Sequence, residues 1–124
     1  MSKRILIIDE DIVELNRLSQ ILGCQGYDVC PLSRSYKVFT EITRCQPDLI
    51  LLDSKNTEMN SYTVSRALKA IDAAKDIPLM LISGKTAYSA NYASKQQEDK
   101  QEDIVIETND IDCLLKDIRL RLAS

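Results

Sequence analysis

Three short segments, RILII at residues 4–8, DLILL at 48–52 and IPLMLIS at 77–83, are apolar almost throughout instead of alternating apolar with polar residues. An alternating strand can leave one face in water. These segments cannot, so each is expected to be a strand of a parallel sheet buried on both faces. Two shorter runs, YDVCPL at 27–32 and DIVIE at 103–107, read as further strands, and Pro31 predicts that the former ends there or lies near a sheet edge.

Between these runs the apolar period changes from continuous to helical. Ile12, Leu15, Leu18, Ile21 and Leu22 share one helical face, with Gly23 or Gly26 available to stop the helix. Val38, Phe39, Ile42 and Cys45 mark a second helix with Ser33 or Ser35 as cap; Val64, Ala67, Leu68 and Ile71 mark a third. Ile111, Leu114, Leu115, Ile118 and Leu122 mark the last, capped by Asn109 or Asp110. Strands alternating with helices, without a sequence repeat, predict one α/β domain over residues 1–124. The tract TAYSANYASKQQEDKQE, 86–102, departs from the pattern: its few core-facing candidates predict a heavily solvated helix or loop.

Composition excludes several classes of function. A chain of 124 residues with 44% hydrophobic and 28% charged residues has the balance of an ordinary globular domain. A net charge of −3 gives no drive toward nucleic acid or an anionic membrane. The apolar runs are far shorter than the ~20 residues that span a bilayer, and MSKRILIIDED turns acidic too early for a signal peptide, so a cytoplasmic location is expected. Cys24, Cys30, Cys45 and Cys113 form no CxxC pair and the chain has no histidine, which predicts small buried thiols and excludes Ser/His or Cys/His catalysis.

The polar residues that end the strands carry the functional signal. In open parallel sheets, ligand sites form beyond the carboxyl ends of the strands. Asp9 and Glu10 follow the first strand, Asp53 ends the third, Ser83 ends the fourth and Glu107 ends the fifth, so all five are expected on one rim. Two unit charges about 4 Å apart repel by roughly 4 kcal/mol at an effective dielectric near 20. A hard dication with oxygen ligands is the natural compensation, and magnesium accepts one or two carboxylates together with waters. The plainer alternative is that each acid caps a helix or faces solvent.

These residues resemble a known family, the receiver domains of two-component response regulators. The resemblance runs in order through ILIIDED, PDLILLDSKNTEMNSYTVSRALK, IPLMLISGK and DIDCLLKDIRLRL. It implies a flavodoxin-like (βα)5 doubly wound parallel sheet of strand order 2-1-3-4-5. It implies phosphorelay signal transduction without classical enzyme activity, with Asp53 as phosphoacceptor. Asp9, Glu10, Asp53 and the backbone carbonyl of Lys55 match the Mg2+ site, and Ser83 matches the hydroxyl that hydrogen-bonds the phosphoryl group. The implied partners are a sensor histidine kinase or phosphotransfer protein and a downstream protein, with a homodimer also open.

Departures from the family pattern are equally specific. Glu107 stands where receivers place a lysine, reversing the charge that would face a phosphoryl group. Lys55 and Lys85 are the substitute cations within reach in sequence. Thr57 and Ser61 occupy a loop usually rich in proline and glycine, Glu10 is one methylene longer than the usual aspartate, and Ile104 replaces a switching aromatic. The competing expectation is therefore a pseudo-receiver, a protein-binding module without a phosphorylation switch. A phosphatase-like enzyme is disfavoured by the absence of a DxDxT-like arrangement after Asp53, and nucleotide binding by the absence of a glycine-rich phosphate loop.

Overall fold

A computed structural model describes residues 2–54, 61–83, 105–107 and 110–123, with Ser61 and residues 105–107 described as backbone alone. Five strands form one parallel sheet: β1 (Arg4–Ile8), β2 (Asp28–Leu32), β3 (Leu49–Asp53), β4 (Leu79–Ser83) and β5 (Val105–Glu107), in the order β2-β1-β3-β4-β5. Four helices accompany them among the described residues: α1 (Ile12–Cys24), α2 (Val38–Cys45), α3 (Ser61–Lys69) and α4 (Ile111–Ala123). This is a parallel α/β sheet flanked by helices, flavodoxin-like in shape. The expected solvated element at 86–102 lies outside the described residues.

Strand pleat explains the two-sided burial. Successive side chains leave a strand on opposite faces. Leu6, Ile8, Ile50 and Leu52 therefore pack toward α2 and α3, against Val38, Ile42, Val64 and Leu68. Ile5, Ile7, Leu49 and Leu51 pack toward α1 and α4, against Leu15, Leu18, Leu22, Leu114 and Ile118. Full burial of each such Leu or Ile stabilises by about 1.5–3 kcal/mol, which is why a polar residue at these central-strand positions is not tolerated.

Several local expectations change in the structure. Ile12 is 53% exposed, because the buried stripe of α1 starts one turn later at Leu15. That helix runs through Gly23 to Cys24, and Gly26, at φ +94°, makes the left-handed turn that follows it. Neither Ser33 nor Ser35 caps α2: a 3-10 turn over Ser35–Lys37 leads directly into the helix, with Ser35 buried inside that turn. Asp110 caps α4, its Oδ1 accepting the Cys113 N–H at 3.1 Å.

The cysteines also differ from expectation. Only Cys45 is buried; Cys30 is partly exposed, and Cys24 and Cys113 are exposed. Helix ends account for two of these, since Cys24 closes α1 and Cys113 lies in the first turn of α4, off its buried stripe. Pro31 sits within β2, an edge strand, where its missing N–H removes nothing that the sheet needs. No helix among the described residues is long and apolar enough to cross a membrane.

Candidate functional site

The carboxyl ends of the strands converge through register. Ile8 pairs with Leu32 and with Leu52, Asp53 with Ile82, and Ser83 with Glu107, so the ends of all five strands share one rim. Asp53 ends β3, as expected. Its backbone is therefore fixed by the sheet, and the Ser54 N–H donates to the Ile82 carbonyl at 2.9 Å.

Asp9 is held with equal firmness just past β1. Its N–H donates to the Leu32 carbonyl at 3.0 Å, and its Oδ1 accepts the Asp11 N–H at 2.9 Å. The side chain is only 2% exposed. Burial is the chief reason that its pKa is pushed up from 3.8 to about 7, and the negative charge of Asp53 is the second. Asp9 and Asp53 are thus brought together electrostatically in a partly dehydrated pocket.

Glu10 does not complete a triad with them. It is half-buried, and among the described residues no three acidic or cysteine side chains gather closely enough to hold a metal ion. The two carboxylates that the electrostatics couples directly are Asp9 and Asp53. Two carboxylates still suit magnesium, which is commonly bound through one or two of them with water completing the octahedron. Hard oxygen donors carrying excess negative charge are the right donor chemistry for that ion.

Ser83 ends β4 and is 1% exposed. Glu107 ends β5 beside it in register, as described by the backbone. The remaining candidates, Lys55, Thr57, Lys85, Ile104, Asn109 and the side chains of Ser61 and Glu107, lie outside the described residues.

Two participants escaped the sequence reading. Asp11 belongs to the acidic run, yet its Oδ1 accepts the Val13 and Glu14 N–H groups at 3.0 and 3.3 Å, making it the N-cap of α1. Its spacing to Glu14 is the signal that could have revealed this, since an N-cap residue with Glu three positions on marks a helix start. Ser54, next to Asp53, has a buried hydroxyl without a hydrogen-bond partner among the described residues. Nothing in the sequence distinguished it from an ordinary loop serine.

Sequence comparison finds response regulators. The chain is 30% identical over 86 residues to the DNA-binding response regulator MtrA of Mycolicibacterium paratuberculosis, an overlap covering 69% of this chain and 37% of that protein. It is 34% identical over 80 residues to the transcriptional regulator RpaA of a Synechocystis species, covering 64% of this chain and 33% of that protein. The chain thus spans about a third of the length of these curated relatives. No protein-family model matches it. Among solved structures, a CheY-like response regulator receiver domain protein from Methanospirillum hungatei superposes with a TM-score of 0.78 at 22% identity, covering 99% of this chain and 95% of that one. The signal receiver domain of a DNA-binding response regulator from Colwellia psychrerythraea gives a TM-score of 0.80 at 17% identity, covering 99% and 100%.

Proposed function

We propose that this chain is an atypical receiver domain of the kind found in two-component response regulators, a signalling module rather than a classical enzyme, and that it accepts a phosphoryl group on Asp53 within a phosphorelay. The observation that carries this reading is the Asp9–Asp53 pair, a buried carboxylate whose pKa is raised first by burial and then by the negative charge of the strand-end carboxylate beside it. The donor is a phosphorylated histidine on a sensor kinase or phosphotransfer protein. As an Asp53 carboxylate oxygen bonds to phosphorus, the donor N–P bond breaks, leaving a free imidazole and an aspartyl phosphate.

Asp9, Asp53 and the Lys55 carbonyl would hold Mg2+, with Glu10 at the margin. When bound, the ion supplies the charge neutralisation that lets one anion approach another. The Ser83 hydroxyl donates to a phosphoryl oxygen, changing the surface at the end of β4 that a downstream protein or a second copy of the chain reads. The complete (βα)5 repeat belongs to the same proposal.

Glu107 supports a second reading, a pseudo-receiver that binds its partner without phosphorylation, because its position on the rim beside Ser83 carries a carboxylate where the family has an ammonium. The two separate on incubation with magnesium and acetyl phosphate, followed by intact mass measurement. The proposal expects one added phosphoryl group on the parent chain, none on Asp53→Asn, and higher occupancy on Glu107→Lys. An unmodified parent and an unmodified Glu107→Lys variant overturn it in favour of the pseudo-receiver.

A further inference from the structure

Cys30, in edge strand β2, and Cys45, the last residue of α2, come from different elements 15 residues apart yet meet sulfur to sulfur. The Cys45 Sγ–H donates to the Cys30 Sγ at 2.7 Å, compared with about 2.05 Å in a covalent disulfide. Cys45 is 5% exposed, whereas Cys30 is partly exposed. The Arg4 guanidinium donates to the Cys45 carbonyl at 2.8 Å and lies close enough to interact with both sulfurs. A third ligand that would make this a metal site is absent among the described residues.

We infer that Cys30 and Cys45 form a redox site, in which thiol–disulfide exchange with a small-molecule disulfide yields a reversible Cys30–Cys45 bond tying β2 to α2. The inference does not depend on the phosphoacceptor reading.

The arrangement assigns an order to the two sulfurs. Burial, reinforced by the contact with Cys30, pushes the Cys45 thiol up to about 12, so it remains protonated at neutral pH. Cys30 is therefore the sulfur that meets the oxidant. It loses its proton to solvent and attacks one sulfur of the small disulfide, expelling the other half as a thiolate and forming a mixed disulfide. Cys45 then attacks the Cys30 sulfur; its proton goes to the departing thiolate, and the mixed disulfide breaks as the internal bond forms. Two protein thiols are oxidised and one small disulfide is reduced to two thiols. Sulfurs already in contact make the second step fast relative to capture by another molecule.

The test treats folded protein with oxidised glutathione, then unfolds it in acid, alkylates it with a maleimide and maps the peptides by mass. The inference expects a Cys30–Cys45 cross-linked peptide, reversed by dithiothreitol, while the exposed Cys24 and Cys113 carry glutathione or maleimide. In Cys45→Ser, Cys30 is expected to retain glutathione as a stable adduct; in Cys30→Ser, Cys45 should resist glutathione until the protein is unfolded. A parent chain in which Cys30 keeps glutathione and Cys45 remains open to alkylation overturns the inference. So does a parent whose disulfides join different molecules through Cys24 or Cys113.

Discussion

The two ends of β1, five residues apart, solve opposite electrostatic problems. At the amino end, Arg4 faces Asp28 at 3.0 Å, while its N–H donates to the Asp48 carboxylate at 2.8 Å: unlike charges, mutually satisfied and exposed to water. At the carboxyl end, Asp9 is buried beside Asp53: like charges, in a pocket that resists the ionisation of Asp9. The same sheet carries both. The amino end can be understood as structure alone, whereas a buried carboxylate with a raised pKa beside a second carboxylate is a pattern common at functional positions.

The largest expected effect comes from removing the buried charge of Asp9, which burial first and Asp53 second disfavour. Below about pH 3.8, Asp9 is protonated in both folded and unfolded chains. Between there and about pH 7 the unfolded chain ionises first while the folded chain keeps its proton, so stability falls as pH rises, then levels off. At about 1.4 kcal/mol per pH unit, the loss is on the order of 4 kcal/mol. Asp9→Asn should recover much of it in metal-free protein at pH 8 and little at pH 3.5, as urea unfolding would measure. Equal stability of the two chains at both pH values breaks the contrast.

A smaller effect is expected at Asp11. Removing the cap of α1 by Asp11→Ala should cost about 1 kcal/mol in urea unfolding. Because the Asp11 N–H holds Asp9 from the backbone, the alanine retains that bond and the upward displacement of Asp9, which carboxyl NMR titration would follow. The smallest effect belongs to the amino end: Asp28→Asn breaks an exposed ion pair and should leave the unfolding midpoint within error, since solvent screens such pairs. A large loss there would mean that the two ends are not different in kind.

Much of this fold was written in apolar periodicity. Continuous runs such as RILII specify burial on both faces, and i, i+3, i+4 stripes such as Leu15, Leu18 and Leu22 specify which side of each helix is inward. The convergence of Asp9 and Asp53 followed from strand ends and winding order. What escaped was finer. Whether Glu10 joins its neighbour depends on the direction each residue takes on leaving β1, and apolar pattern does not encode this. The Cys30–Cys45 contact escaped for another reason: it is set by how α2 lies on the sheet, and sequence spacing between the two residues carries no trace of that distance.

The central claim, that Asp9 and Asp53 together form the seat of a dication, is tested most directly by the thermal unfolding midpoint with and without millimolar magnesium. The account predicts a magnesium-dependent rise for the parent chain at pH 8, weaker at pH 6 as Asp9 takes up its proton, and largely lost in both Asp9→Asn and Asp53→Asn. A rise that persists undiminished in either variant, or no rise in the parent, would contradict it.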